Sequence, residues 1–205
     1  MTEAPARKPS RIQMRNRKKI MEAALDVFSR HGYRGATLDQ IAEQSGLSKP
    51  NILYYFDGKE DIHVQLLSQL MESWLDPLEH MDSEGDPLAE ILDYVRRKME
   101  MTRAFPRESR LFANEILQGA PRMGPHLESG LKPLFDRKTA VIRNWMAQGK
   151  LAQVDPRHLI FSIWATTQHY ADFDAQVQVL VPADENVLDG AESYIETLFT
   201  KLLSP

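Results

Sequence analysis

The 205-residue chain has no cysteine. That excludes a disulfide scaffold, a thiolate metal site and a cysteine nucleophile, and it suits a reducing cytosol. There is no run of about 18 apolar residues, so no membrane-spanning helix is expected. The N-terminus is basic and polar without an apolar segment, so it does not read as a secretory leader. No G-x-S-x-G, no H-E-x-x-H and no phosphate-cradling glycine loop occurs, which leaves an enzyme without its usual sequence signatures. Alternating strand patterns, internal repeats and low-complexity stretches are also missing. Of the six histidines, His158 and His169 are eleven residues apart, about 16 Å along a helix, too far to share one ion. His63, His80 and His126 show no zinc-type spacing, so no metal and no cofactor are expected.

What is present is helical periodicity with clear punctuation. Charge is also divided: residues 1–60 hold eleven Lys/Arg against seven Asp/Glu, a net +4, and the remainder carries −8. A basic head on an acidic body suits contact with phosphates, although a solvated basic tail is the competing reading. Residues 1–15 read as a flexible basic arm, 16–60 as a DNA-binding head, and 61–205 as a larger body.

The stretch 37–59, TLDQIAEQSGLSKPNILYYFDGK, organises the head. Thr37 caps one short helix, and Gly46 stops it because glycine accepts the left-handed conformation of a helix end. Ser48 caps the next, with Pro50 in its first turn where a missing N–H costs nothing. Small Ala42, with Leu47 and Ile52, lets the two helices cross steeply. This is the spacing of a helix-turn-helix. Before it, Ile20, Ala23, Ala24, Val27 and Phe28 form one apolar stripe on a helix over residues 16–31.

Lys49, Asn51 and Tyr54 project from the start and open side of the reading helix, next to Ser48. Lysine suits guanine or phosphate, and asparagine suits the adenine edge. Lys59 opens the following helix, where a cation opposes the macrodipole and a bound phosphate would reverse the cost.

In the body, Asp86-Pro87, Pro106, Pro121 or Pro125, and Asp155-Pro156 open successive helices. These are expected over residues 87–103, from 106 to a stop at Gly119, to Gln148 with a kink or a break at Gly130 and Pro133, and over 156–179. A last helix is expected over 184–203. The final two are apolar over more than one face, which suits a homodimer interface, a four-helix bundle from two subunits. The fold class is all-α, about nine helices.

Residues 20–62, with AALDVFSRHGYRGATLDQIAEQSGLSK followed by LYYF and GKED, resemble the TetR family of bacterial transcriptional regulators. The resemblance implies a small DNA-binding head, a ligand-binding and dimerising body, and a palindromic double-stranded DNA operator. It carries Thr37, Tyr55 and Lys59 over as phosphate contacts, with capping and core packing as the competing roles. Further on, NILYYF, the Trp74–Leu78 segment, SRLFANEILQGAP and DPRHLIFSIWATTQHYADF are similar to the pyrimidine-responsive branch of that family. This implies a cytoplasmic repressor whose effector is uracil or thymine; another flat or lipophilic effector is the alternative. Pro50, Asn51 and the stretch 175–189 depart from the pattern.

On that resemblance Trp74 and Gln168 are the leading pocket residues. Tryptophan can stack on a pyrimidine face. A glutamine amide offers one acceptor and two donors to the ring's carbonyl and N–H edge. Trp164 and Phe161 lie on the same helical face as Gln168. Tyr170, Asp172 and Glu115 complete the candidates, and a buried Glu115 needs a partner. Plain core packing is the competing role for Trp74 and Trp164.

Overall fold

The computed structural model describes residues 10–182 and 186–205. Residues 1–9 of the arm expected over 1–15 and the expected start of the last helix at Asp184 lie outside the described residues, and residues 11–15 are helical rather than part of an arm. All regular structure among the described residues is helical, and no helix there is long and apolar enough to cross a membrane. The chain divides into two compact units, Met1–Leu67 and Ser68–Pro205. The boundary expected after residue 60 falls inside a helix, α4 (Lys59–Glu79).

In the first unit α1 spans Arg11–Gly35. It begins five residues earlier than the apolar stripe suggests. Ser10 and Gln13 form a reciprocal capping box, which satisfies two orphan N–H groups and extends the helix over polar residues. Near its end Gly32 takes φ +64°, interrupting the helical backbone. Ile20, Ala24, Val27 and Phe28 are buried. α2 (Leu38–Ser45) and α3 (Lys49–Tyr55) follow. Thr37 and Gln40 make a second capping box at α2. Gly46 at φ +66° returns its N–H to the carbonyls of Ala42 and Glu43. Ser48 accepts from the Asn51 N–H to cap α3. Ile41, Ile52, Phe56 and Ile62 are buried, each stabilising the head by roughly 1.5–3 kcal/mol.

The second unit holds the rest of α4, then α5 (Pro87–Ala104), α6 (Pro106–Leu117), α7 (Gly124–His126), α8 (Lys132–Ala147), α9 (Pro156–Asp172), α10 (Asp174–Leu180) and α11 (Val187–Leu203). Asp86 and Asp155 accept backbone N–H bonds at the starts of α5 and α9, ahead of Pro87 and Pro156. α5 packs on both α9 and α11. Ile91, Val95, Met99, Ile160, Ile163, Ile195 and Phe199 form the centre of this core. The Trp145 indole N–H donates to the Ser83 carbonyl at 3.0 Å, which ties α8 to the loop before α5.

Two helices differ from the periodicity reading. In the segment ending at Gln148 the irregularity expected at Gly130 and Pro133 is a π-helical turn: α7 passes through Leu127–Leu131 into α8 without a break. Pro133 has no N–H to return to residue 129, and the widened turn absorbs that missing bond. The helix expected over residues 156–179 breaks at Phe173 (φ −112°, ψ 28°) into α9 and α10. No Gly or Pro marks that break, so periodicity ran across it.

Candidate functional site

α3 buries Ile52 and leaves Lys49, Pro50, Asn51, Leu53 and Tyr54 exposed. Burial of that one anchor turns the opposite face of the helix to solvent. Tyr54 is 70% exposed, and its hydroxyl accepts from the Gln13 amide at 3.2 Å. The half-buried Tyr55 accepts from the Asn16 amide at the same distance. The two rings meet edge to face, centroids 5.0 Å apart. These bonds fix α3 beside the N-terminal half of α1, where Arg11, Arg15, Lys18 and Lys19 are exposed. Arg17 stays at home: its guanidinium lies 4.6 Å from the Phe56 ring centroid and bonds Gln65.

Other head candidates already have partners. The Lys49 ammonium pairs with Asp39 at 3.0 Å, an exposed bond that water and salt weaken. Ser48 and exposed Thr37 serve as caps. Lys59 has a structural role beside the phosphate contact read for it. Its ammonium donates to the carbonyl oxygens of Tyr33 and Ala36, each at 2.8 Å, and lies 4.5 Å from the Tyr33 ring centroid. It thus satisfies carbonyls at the end of α1, where a cation also complements the dipole.

In the second unit Met71, Trp74, Leu75, Lys98, Phe112, Leu131, Trp164 and Gln168 line a half-open cavity of about 90 Å³. The lining comes from α4, α5, α6, the π turn and α9. Trp74 is buried, and the Phe112 ring meets it edge to face at 5.3 Å. The Trp164 indole N–H donates to the Tyr94 hydroxyl at 2.6 Å, so this ring is held by a buried partner. The side-chain amide of Gln168 makes no hydrogen bond among the described residues. The walls are mostly apolar, with two polar tips.

Trp74, Trp164 and Gln168 are therefore brought together. Phe161, Tyr170 and Glu115 are not, and their expected place in this pocket needs correction. Phe161 is 48% exposed and stacks on Phe135 at 5.2 Å, because the α9 face it shares with Gln168 diverges from the cavity toward α8. Tyr170 lines a separate groove with Asp174, Val177 and Leu188. Glu115 is buried and finds its partner in Arg122, from the backbone N–H at 2.8 Å and the guanidinium at 3.4 Å.

Lys98 is the residue that sequence reasoning missed. It is 4% exposed, and its ammonium lies over the Trp74 ring, 5.4 Å from the centroid. Burial lowers its pKa to about 8, opposed by the charge of Asp172. The Asp172 carboxyl, pushed up by burial, accepts from the Ser109 hydroxyl at 2.5 Å. A signal was available: Lys98 falls seven residues after Ile91 and three after Val95, on the buried stripe of α5. Among the described residues no three His, Asp or Glu side chains gather as a metal site.

Comparison with known proteins accounts for both units. Residues 20–66 match the model of bacterial regulatory proteins of the tetR family. Residues 67–205 match the C-terminal region of YcdC-like proteins. The chain is 48% identical over 176 residues to the HTH-type transcriptional regulator RutR of Escherichia coli K12, covering 86% of this chain and 83% of that protein. The fatty acid degradation regulator FadR of Bacillus halodurans superposes with a TM-score of 0.67 at 19% identity, covering 97% and 96% of the two chains. The ketosteroid transcriptional regulator of Mycobacterium tuberculosis gives 0.70 at 15%, covering 92% and 95%. At those identities the two structures speak for the fold alone. The head match, the body match and the relative at 48% identity agree, and the chain belongs to the TetR family of DNA-binding transcriptional regulators.

Proposed function

We propose that the effector of this regulator is a pyrimidine base, uracil or thymine, bound in the cavity between Trp74 and Gln168, and that binding releases a repressor from its operator. The observation that carries the reading is the pairing of a flat indole with an amide that makes no hydrogen bond among the described residues, in a space of about 90 Å³. Drug-sized ligands occupy sites of about 300–1,000 Å³, so this cavity suits a single small ring. The similarity of the surrounding segments to the pyrimidine-responsive branch supports the same choice.

On the DNA side, Asn51 and Tyr54 on the open face of α3 read base edges, with Lys49. Thr37, Ser48 and Tyr55 face the backbone, and Lys59 supports them from behind through the end of α1. A dimeric reader needs its two recognition helices about 34–36 Å apart to meet successive major grooves. The pairing surface is formed by α9 and α11, where Tyr194, Leu198 and Leu202 make an exposed apolar stripe at four-residue spacing. Trp74 and Lys59 both lie on α4. Displacement of α4 on ligand binding is the route by which the cavity reaches the head, provided the ligand binds the two conformations unequally.

The test is an operator gel shift titrated with uracil and thymine. Release at micromolar to millimolar base supports the reading; unchanged operator affinity at millimolar base rejects it. A second reading rests on the apolar walls, Met71, Leu75, Phe112 and Leu131. These suit another flat, lipophilic effector, which a thermal-shift panel of aromatic acids and planar lipophiles identifies.

A further inference from the structure

Lys98 is the one charged side chain among the described residues that line the cavity. Its ammonium makes no hydrogen bond and no ion pair within 4 Å among the described residues. Its contact with Trp74 is through the ring face at 5.4 Å. A lysine this deeply buried ordinarily has a carboxylate or several acceptors against it, because an unpaired charge in an apolar site is costly. The nearest compensation is the longer-range charge of Asp172, which the Ser109 hydroxyl already engages. The cavity therefore has two polar tips of different character. Gln168 both donates and accepts, whereas an ammonium only donates.

We infer that Lys98 determines specificity in the cavity by donating to a ring carbonyl oxygen, so that the site selects imide rings and rejects their amino analogues. This rests on the reading of the effector as a pyrimidine. A 2,4-dioxo pyrimidine carries two carbonyl oxygens separated by an N–H. Gln168 pairs with one carbonyl and an adjacent N–H, and the second carbonyl is left for Lys98. In cytosine one of those oxygens is replaced by an amino group. In the orientation that presents this position to Lys98, its N–H hydrogens face the ammonium hydrogens, donor against donor. Rejection of an analogue that leaves a buried polar group unpaired is stronger than rejection by shape alone. The cost of keeping a bare ammonium in the apo protein is thereby offset when the right ring binds, so Lys98 sharpens selectivity at some expense of stability.

Isothermal titration of uracil and cytosine into the full-length protein and into Lys98→Met tests this. Methionine keeps the length and apolar stem of lysine and removes the donors. The expected result is that wild type binds uracil and discriminates against cytosine. Lys98→Met binds uracil about 10- to 100-fold more weakly, the loss of one hydrogen bond to a charged group, and its uracil-to-cytosine ratio falls by a similar factor. Lys98→Gln is the second variant should the methionine protein not fold. It retains a neutral donor and is expected to fall between the two. Thermal unfolding confirms that each variant is native. Uracil affinity within twofold of wild type, with cytosine still rejected, overturns the role of Lys98 and leaves the pyrimidine reading standing. Failure of wild type to bind uracil or thymine at all overturns both.

Discussion

The Lys59 ammonium and the Tyr33 carbonyl oxygen are 2.8 Å apart, and the same ammonium reaches the Ala36 carbonyl at an equal distance. The first residue of α4 is thus bonded to the end of α1, and it closes the helix-turn-helix head on itself. Lys59→Met breaks two charge-assisted bonds and leaves two carbonyls without that donor. The expected loss is about 2–3 kcal/mol of stability, read as a lower urea midpoint. A residue acting only on DNA phosphate would leave the midpoint of the free protein unchanged.

Gly46 ends α2 at φ +66°, with open space where a side-chain carbon would stand. Gly46→Ala meets no clash, so its cost is conformational only, about 1–2 kcal/mol. Urea unfolding measures it. Operator affinity is expected to fall as well, because the turn sets the angle between α2 and α3.

Glu115 and Arg122 form a pair in which the carboxylate is nearly inaccessible, 3% exposed against 18% for the arginine. Glu115→Ala removes the acceptor of both the Arg122 backbone N–H and its guanidinium. Breaking a pair of this kind costs about 3 kcal/mol. A drop in melting temperature with no change in uracil selectivity is the expected outcome, since Glu115 lies outside the cavity lining.

Lys98 gives a pH-dependent prediction. Its pKa in the folded chain is about 8, against an ordinary lysine value near 10.4. Between those values the unfolded chain binds more protons than the folded one, so the Lys98 contribution to stability rises with pH. Below pH 8 the ammonium is charged in both states and its burial cost is present in full. Above about pH 10.4 it is neutral in both, and that cost is gone. The stability advantage of Lys98→Met over wild type is therefore expected at pH 7 and shrinks by about 3 kcal/mol across this window. Denaturant curves of the two proteins at matched pH provide the check, since other titrating groups cancel in the difference.

Local chemistry made much of the fold legible. Thr37, Ser48, Asp86 and Asp155 announce helix starts because each cap is completed within three residues. The apolar stripe of residues 20–28 identified the buried face of α1 for the same reason. What escaped depends on partners distant in sequence. The break at Phe173 has no Gly or Pro to mark it, and the π turn before Pro133 reads in one dimension as a kink or a break. Lys98 in a charged helix reads as solvated until α4, α6 and α9 are seen around it. Phe161 shares a helical face with Gln168, yet a face wide enough to hold both serves two grooves. The phosphate role read for Lys59 missed its bonds to Tyr33 and Ala36, residues more than twenty positions earlier.

The central claim is that a pyrimidine in the Trp74–Gln168 cavity controls operator binding, and Trp74→Ala separates this from a non-specific effect of the base. Fluorescence anisotropy of a labelled operator, titrated with uracil, is the direct measurement. Wild type is expected to release the DNA in a saturable manner. Trp74→Ala, in which the aromatic wall is lost, is expected to bind the operator and to hold it at every uracil concentration. Release of the operator from Trp74→Ala at the same uracil concentration as from wild type would contradict the account.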